Sequence, residues 1–186
     1  MSAKKFLLDL DGVIVDFVRG VLKYHNRPDI SYGDIQWNLE NMVRPDLTPE
    51  QFWDSLGYDF WLNLPFTPTG PALFAGLASL VGTENILICT SPCRTPGSIE
   101  GKIEWLRINM PTMQRNFMVT PKKEFAASQD RILLDDNDPN IEKFAEAGGL
   151  TVQIAQPWNS GHYKLDKDFN YKVEDVLQEV AIKLEK

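Results

Sequence analysis

The sequence predicts a three-layer α/β fold, a mostly parallel sheet with helices on both faces and a small helical cap inserted after the first strand. Three observations predict it. Short apolar runs bounded by turn residues alternate with helical patterns along most of the chain. Single helices separate the later runs, which implies βαβ crossovers rather than hairpins. One long stretch, 17–66, breaks the alternation with helical or irregular pieces and no convincing strand.

Each element has its own signature. The runs at 5–10, 85–89, 116–120, 131–134 and 150–155 are rich in Leu, Ile and Val and read as buried strands. Helical patterns fill 71–81, 98–109 and 139–147. The closing helix Val173–Leu184 places Val173, Val176, Leu177, Val180 and Leu184 on one face. Asp138-Pro139 predicts an N-cap followed by Pro at the first helical position, and Gly148-Gly149 predicts the stop. The inserted stretch carries helical pieces at 17–25 and 49–56 and holds 10 of the 20 aromatic residues, twice an even share for its length. The expected division is a core of 1–16 and 67–186 with a cap of 17–66.

Composition narrows the function. At 186 residues the chain suits one domain with a small insert and can bury about 70% of its unfolded surface. Two cysteines cannot form a disulfide framework. A net charge of -7 opposes broad binding to polymeric nucleic acid or an anionic membrane, while leaving room for a small anion. The uncharged stretch 60–83 carries Pro65, Pro68 and Pro71, so only 72–81 could be continuous helix, too short to cross a bilayer. Asp9 and Asp11 interrupt the apolar run near the start that would otherwise suggest a signal peptide. The expectation is a soluble, cytoplasmic protein; a homodimer is left open.

Four clusters close four of the predicted strands. Asp9 and Asp11 are two apart, so on extended backbone they face one way, and Gly12 permits a tight turn after them. Thr90 and Ser91 end the second strand with Arg94 shortly after, a hydroxyl-and-cation set suited to phosphate oxygens. Lys122 and Lys123 follow the third strand. Asp135, Asp136 and Asp138 crowd the end of the fourth, where carboxylates repel unless a cation is present. Singly, each has an ordinary reading: an Asp-Gly hairpin, a Ser-Pro turn, a solvated lysine pair, a helix cap at Asp138. In order on one edge of a parallel sheet, where sites form at the carboxyl ends of strands, they point to one phosphate-handling centre.

This ordered set resembles the haloacid dehalogenase-like (HAD) hydrolases, whose Rossmann-like core carries a DxD pair, a Ser/Thr, a Lys and a closing acidic pair. The matching residues are Asp9 and Asp11, Thr90, Lys123 or Lys122, and Asp135 with Asp136. The strings Asp9-Leu10-Asp11-Gly12-Val13-Ile14-Val15-Asp16-Phe17, Ile88-Cys89-Thr90-Ser91-Pro92 and Leu134-Asp135-Asp136 are similar to the 5'(3')-deoxyribonucleotidases, the type C 5'-nucleotidases. The resemblance implies a Mg²⁺-dependent phosphatase acting on nucleoside monophosphates. Asp9 would be the nucleophile and Asp11 the acid and base. Mg²⁺ would be held by Asp9, the Asp11 backbone carbonyl and Asp136, with Asp135 orienting its ligands. Thr90, Ser91, Lys123 and Arg94 would bind phosphate. In the cap, Phe17, Trp37, Trp61 or Phe66 could stack on a base, with Phe17 favoured because it follows the first motif; most cap aromatics are expected to pack its own core. Trp158, after the last strand, could line the site edge. The same chemistry would serve a sugar phosphate or a 3'-phosphate end of nucleic acid. A non-enzymatic binding protein is the remaining alternative, opposed by the presence of every motif carboxylate.

Overall fold

The computed structural model describes residues 4–185. Five parallel strands, β1 (Lys5–Leu8), β2 (Ile86–Thr90), β3 (Phe117–Val119), β4 (Arg131–Asp135) and β5 (Leu150–Gln153), form one sheet in the order β3-β2-β1-β4-β5. Parity along the strands shows that both faces are covered. Phe6, Leu8, Ile88, Ile132 and Leu134 join the main core with Leu73, Leu77, Trp105, Val176 and Val180. Leu7, Cys89 and Leu133, one residue out of phase, meet Phe144 in a second cluster.

The helices, in chain order, are α1 (Phe17–Tyr24), α2 (Leu39–Val43), α3 (Pro49–Ser55), α4 (Tyr58–Leu62), α5 (Gly70–Val81), α6 (Pro96–Asn109), α7 (Asp138–Glu146) and α8 (Val173–Leu184). Five of them, α1 to α5, lie between β1 and β2. The five-residue helices α2 and α4 have too few turns to leave a periodic apolar pattern, and the sequence did not signal them.

Three local expectations change. β1 stops at Leu8 rather than 10, so Asp9 and Asp11 lie on the turn beyond it. There the Asp9 N–H donates to the Leu134 carbonyl (2.9 Å), and Gly12, at φ +77°, lets its N–H reach the Val15 carbonyl (2.8 Å). The Asp-Gly pair makes no hairpin, since β1 pairs in parallel with β2 and β4. The cap of α7 is Asn137, whose side chain accepts from the Asn140 N–H (2.9 Å), not Asp138. The helix begins one residue earlier than Pro139 suggested. Asp138 instead accepts from the backbone and the hydroxyl of Ser160, both at 3.0 Å.

One face of α6 fixes the inserted helices to the sheet. Gly97, Gly101 and Trp105 are four apart and so lie on one stripe. A Cβ on Gly101 would come within 2.7 Å of the Tyr58 carbonyl and the Trp61 Cβ, and one on Gly97 within 2.9 Å of the Tyr58 nitrogen. The backbone of α4 therefore rests directly on α6. Trp105, 1% exposed, completes the seam by donating from its indole nitrogen to the Leu64 carbonyl (2.7 Å).

Gly101→Ala tests this seam. Alanine should gain up to about 1 kcal/mol of helix propensity, but overpacking against fixed backbone costs about 1–3 kcal/mol. The expected result is a net loss of stability in urea unfolding. A gain would show that the two helices can part.

Candidate active site

Strand order places the site. β1 leads to β2 on one side of the sheet while β4 and β5 lie on the other, so the switch point falls between β1 and β4. The acidic residues after those strands face each other across it. One carboxylate oxygen from each of Asp9, Asp135 and Asp136 lies within 4.8 Å of the others, and all three residues are buried.

Lys123, 1% exposed, sits among them. Its Nζ is 2.6 Å from Asp9 Oδ1 and 2.7 Å from Asp135 Oδ2. Burial lowers its pKa, but the carboxylates of Asp9 and Asp135 outweigh that and the net shift is upward, so it is a fixed cation. Asp135 also accepts from the Asn137 N–H (2.9 Å) and Asn140 Nδ2 (3.0 Å), which leaves it little capacity for another ligand. Burial raises the Asp9 carboxyl to about 7; Lys123 opposes the rise, and Asp135 and Asp11 add to it. Burial, then the charges of Asp135 and Asp9, holds Asp136 well above the usual carboxylate range.

A second lysine, which the sequence reading missed, completes the centre. Lys102 on α6 is 4% exposed, and its Nζ donates to Asp11 Oδ2 (2.5 Å), the Ser91 carbonyl (2.7 Å) and the Thr90 hydroxyl (3.2 Å), while lying 4.5 Å from the Trp61 ring centre. A signal existed. Ser98 and Lys102 are four apart in the first turns of the helix returning from the β2 carboxyl end, which places both beside that end. Thr90 also donates to Asp11 Oδ2 (3.3 Å), which ties the second cluster to the first.

A cavity of 670 Å³ opens above this centre. Asp9, Asp11, Gly12, Ser91, Lys102 and Asp136 form its floor, with Asn140 and Trp158 at one side. Phe17, Trp37, Trp53 and Trp61 line it from the inserted helices, together with Ile35, Gln36 and Asn38. Trp37 is 58% exposed and offers a free face. Phe17 stacks on Trp53 (5.7 Å) and on Trp61 (5.3 Å), so its ring is already partnered. The other cap aromatics pack largely as expected: Phe52, Phe60 and Trp61 are buried, and Tyr32, Trp53 and Phe66 lie against the core.

The remaining candidates sort by position. Lys122 is not at the site: it is exposed, and its only carboxylate neighbour among the described residues is Glu124 at 4.0 Å, because the 3₁₀ turn that begins at Lys123 sends the two lysines apart. Phe66 does not reach the cavity; it is held by a bridge to Val15 and packs edge-on against Trp105 (4.9 Å). Arg94 stands on the cavity rim, exposed, and pairs with Glu50 of α3 (3.2 Å). Thr90 and Lys123 are buried and do not line the cavity; Lys123 contacts the carboxylates of Asp9 and Asp135, and the Thr90 hydroxyl contacts Asp11 and Lys102. Trp158 does line the edge, and its indole N–H donates to Asp136 Oδ2 (2.7 Å).

The charge count shows what the arrangement can hold. Four carboxylates, Asp9, Asp11, Asp135 and Asp136, face two ammonium groups, a formal surplus of two negatives in a mostly buried space. Among the described residues, Asp136 has no cation within 4 Å, and Asp11 Oδ1 is buried without a hydrogen-bond partner. Oxygen-only donors with that surplus fit a hard divalent cation.

Comparisons with known proteins agree with this geometry. The family model described as 5' nucleotidase, deoxy (pyrimidine), cytosolic type C protein matches residues 4–180. No curated protein matches the chain by sequence. Among solved structures, a HAD family hydrolase from Deinococcus radiodurans, solved with bound phosphate and sodium, superposes with a TM-score of 0.57 at 13% identity, covering 97% of this chain and 96% of its own. A haloacid dehalogenase-like hydrolase from Streptococcus pneumoniae gives 0.55 at 12%, covering 96% and 98%. A phosphonoacetaldehyde hydrolase-like protein from Oleispira antarctica gives 0.52 at 12%, covering 98% and 84%.

The two adjacent lysines should behave very differently. Lys123→Met strands two buried carboxylates and should cost the metal-free protein about 3–5 kcal/mol, while Lys122→Met should stay within about 0.5 kcal/mol. Chemical denaturation of both variants measures this; equal effects would contradict the placement.

Proposed function

We propose, since the chain belongs to the cytosolic type C 5'-nucleotidase family of HAD hydrolases, that it is a Mg²⁺-dependent phosphatase hydrolysing nucleoside monophosphates, with deoxyribonucleotides preferred. The observation that carries this reading is the convergence of Asp9, Asp11, Lys102 and Asp136 on the floor of a cavity whose upper wall is aromatic. Residues 1–16 and 67–186 would form the catalytic core and 17–66 the cap. A cytoplasmic location follows the family; no described helix is long and apolar enough to cross a membrane.

Each residue has a role in this scheme. Asp9 attacks phosphorus in line and forms an aspartyl-phosphate, which divides one difficult displacement into two easier ones. Lys123 holds the Asp9 carboxylate in place from behind and keeps it charged against the cost of burial. Asp11 gives a proton to the leaving ester oxygen and later takes one from the attacking water, with Lys102 and Thr90 fixing its Oδ2. Asp9, the Asp11 carbonyl and Asp136 would hold Mg²⁺, which when bound supplies Lewis-acid stabilisation of the phosphoryl oxygens. Ser91 and Lys102 supply donors to the remaining phosphoryl oxygens, where charge develops in the transition state.

The cap would select the substrate. Trp37, Trp53 and Trp61 line the cavity, and a flat base gains more from aromatic faces than a sugar does. Gln36 and Asn38 beside them can meet the base edge. Arg94 paired to Glu50 would link the core rim to the cap and narrow the mouth.

Phosphate release from deoxy- and ribonucleoside monophosphates, sugar phosphates and 3'-phosphorylated oligonucleotides, each with Mg²⁺ and with chelator, tests the reading. Deoxynucleoside monophosphates should be the best substrates, and chelation should stop turnover. Asp9→Asn should lower kcat by at least about 10³-fold with the fold intact. Mg²⁺-dependent turnover by Asp9→Asn at the parent rate, or a preference for sugar phosphates, would overturn it.

A further inference from the structure

We infer that Trp158 is a positioning residue for Asp136: a neutral donor that aims a metal-binding carboxylate without cancelling its charge. This rests on the metal-dependent reading above and extends it to a residue that takes no part in the chemistry itself.

Each of the other three carboxylates is held by a lysine, Asp9 and Asp135 by Lys123 and Asp11 by Lys102. Asp136 is not; its Oδ2 accepts from the Trp158 indole N–H at 2.7 Å. Gly12 lies against the same oxygen, so close that a Cβ there would fall 2.5 Å from it. Between the indole and the Gly12 backbone the carboxylate is held in one orientation. A lysine in place of Trp158 would hold it equally well but would offset the charge that a cation needs. An indole N–H fixes one oxygen and leaves the negative charge for the other.

The loop that carries Trp158 is itself anchored to both halves of the site. Asn159 Nδ2 donates to the Asp136 carbonyl (2.7 Å) and the Ile154 carbonyl (2.8 Å). Gln156 Nε2 donates to the Gly12 carbonyl (2.5 Å), and its Oε1 accepts from the Tyr32 hydroxyl (3.0 Å). Tyr32 meets the Trp158 ring edge-on at 5.8 Å and carries the Arg19 guanidinium over its own face at 3.9 Å. Gln156 and Asn159 are both nearly fully buried. Residues 156–159 thus brace Asp136 against the turn after β1, and Tyr32 ties that brace to the inserted segment.

The test is calorimetric titration of Mg²⁺ into metal-free protein without substrate, on the parent, Trp158→Phe and Trp158→Gln. Phe keeps a ring and loses the donor; Gln loses the ring and keeps a neutral N–H. Removing an outer partner of a metal ligand weakens metal binding about 10–100-fold, so Trp158→Phe should show a Kd for Mg²⁺ raised by that factor and Trp158→Gln a smaller rise. At saturating Mg²⁺ the KM of Trp158→Phe for the phosphate ester should stay within about twofold of the parent, which a general disruption of the site would not allow. Mg²⁺ affinity in Trp158→Phe equal to the parent overturns the inference while leaving the metal site standing. If Trp158→Phe fails to fold, parent-like affinity in Trp158→Gln supports the donor role and an affinity lowered about 100-fold refutes it. A parent that takes up no divalent cation refutes the metal site itself, and the inference with it.

Discussion

The structure depends on one electrostatic constraint: four carboxylates share a mostly buried space with two lysines. Each uncompensated buried ion costs several kcal/mol, so the surplus must be placed where something else can meet it. Lys123 neutralises the deepest position, between Asp9 and Asp135, and Lys102 meets Asp11 from the α6 side. One surplus negative remains on the Asp9–Asp135 pair that shares Lys123 and the other on Asp136, which no lysine meets; the cavity reaches both Asp9 and Asp136. Burial alone would push Asp9 and Asp136 toward their neutral forms, and a divalent cation acts against that push.

The parallel sheet makes this crowding feasible. Strands in parallel all deliver their carboxyl ends to one edge, so residues far apart in sequence arrive at one point without any single segment carrying adjacent like charges over a long run. α6 then does two things with two neighbouring stripes. Its Gly97, Gly101 and Trp105 stripe seats α4 and the Leu64 carbonyl, and Lys102, one residue round, reaches the carboxylates. Because Lys102 also lies over Trp61, the residue that steadies Asp11 touches the aromatic wall proposed to meet the substrate's base. Displacement of α4 would therefore disturb both recognition and chemistry.

Much of this was legible in the sequence, for physical reasons that also explain the gaps. Five strands and four of the longer helices were visible because buried elements carry dense, periodic apolar residues. Asp9, Asp11, Thr90, Lys123 and Asp135-Asp136 stood out as polar residues closing such runs. Lys102 did not, since it sits inside a helix, and Trp158 was legible only as a residue at the site edge; the contacts that matter for each span 91 and 22 residues of sequence. Lys122 and Lys123 were indistinguishable by type, because only the local 3₁₀ turn decides which one goes inward. Asp138 displaced Asn137 as the expected cap because Pro was assigned to the first helical position, whereas it occupies the second. Phe66 was grouped with the cap aromatics by proximity in sequence, but its bridge to Val15 turns it toward Trp105.

The account stands or falls on the surplus charge at Asp136. Thermal unfolding of the parent and Asp136→Asn, each with and without Mg²⁺, measures it most directly. Asn is nearly the same shape and removes one buried negative charge. The metal-free variant should melt above the metal-free parent, and Mg²⁺ should raise the parent's Tm but barely move the variant's, because a ligand stabilises only the state that binds it. A metal-free Asp136→Asn that melts below the parent, with the same gain on adding Mg²⁺, would contradict the account.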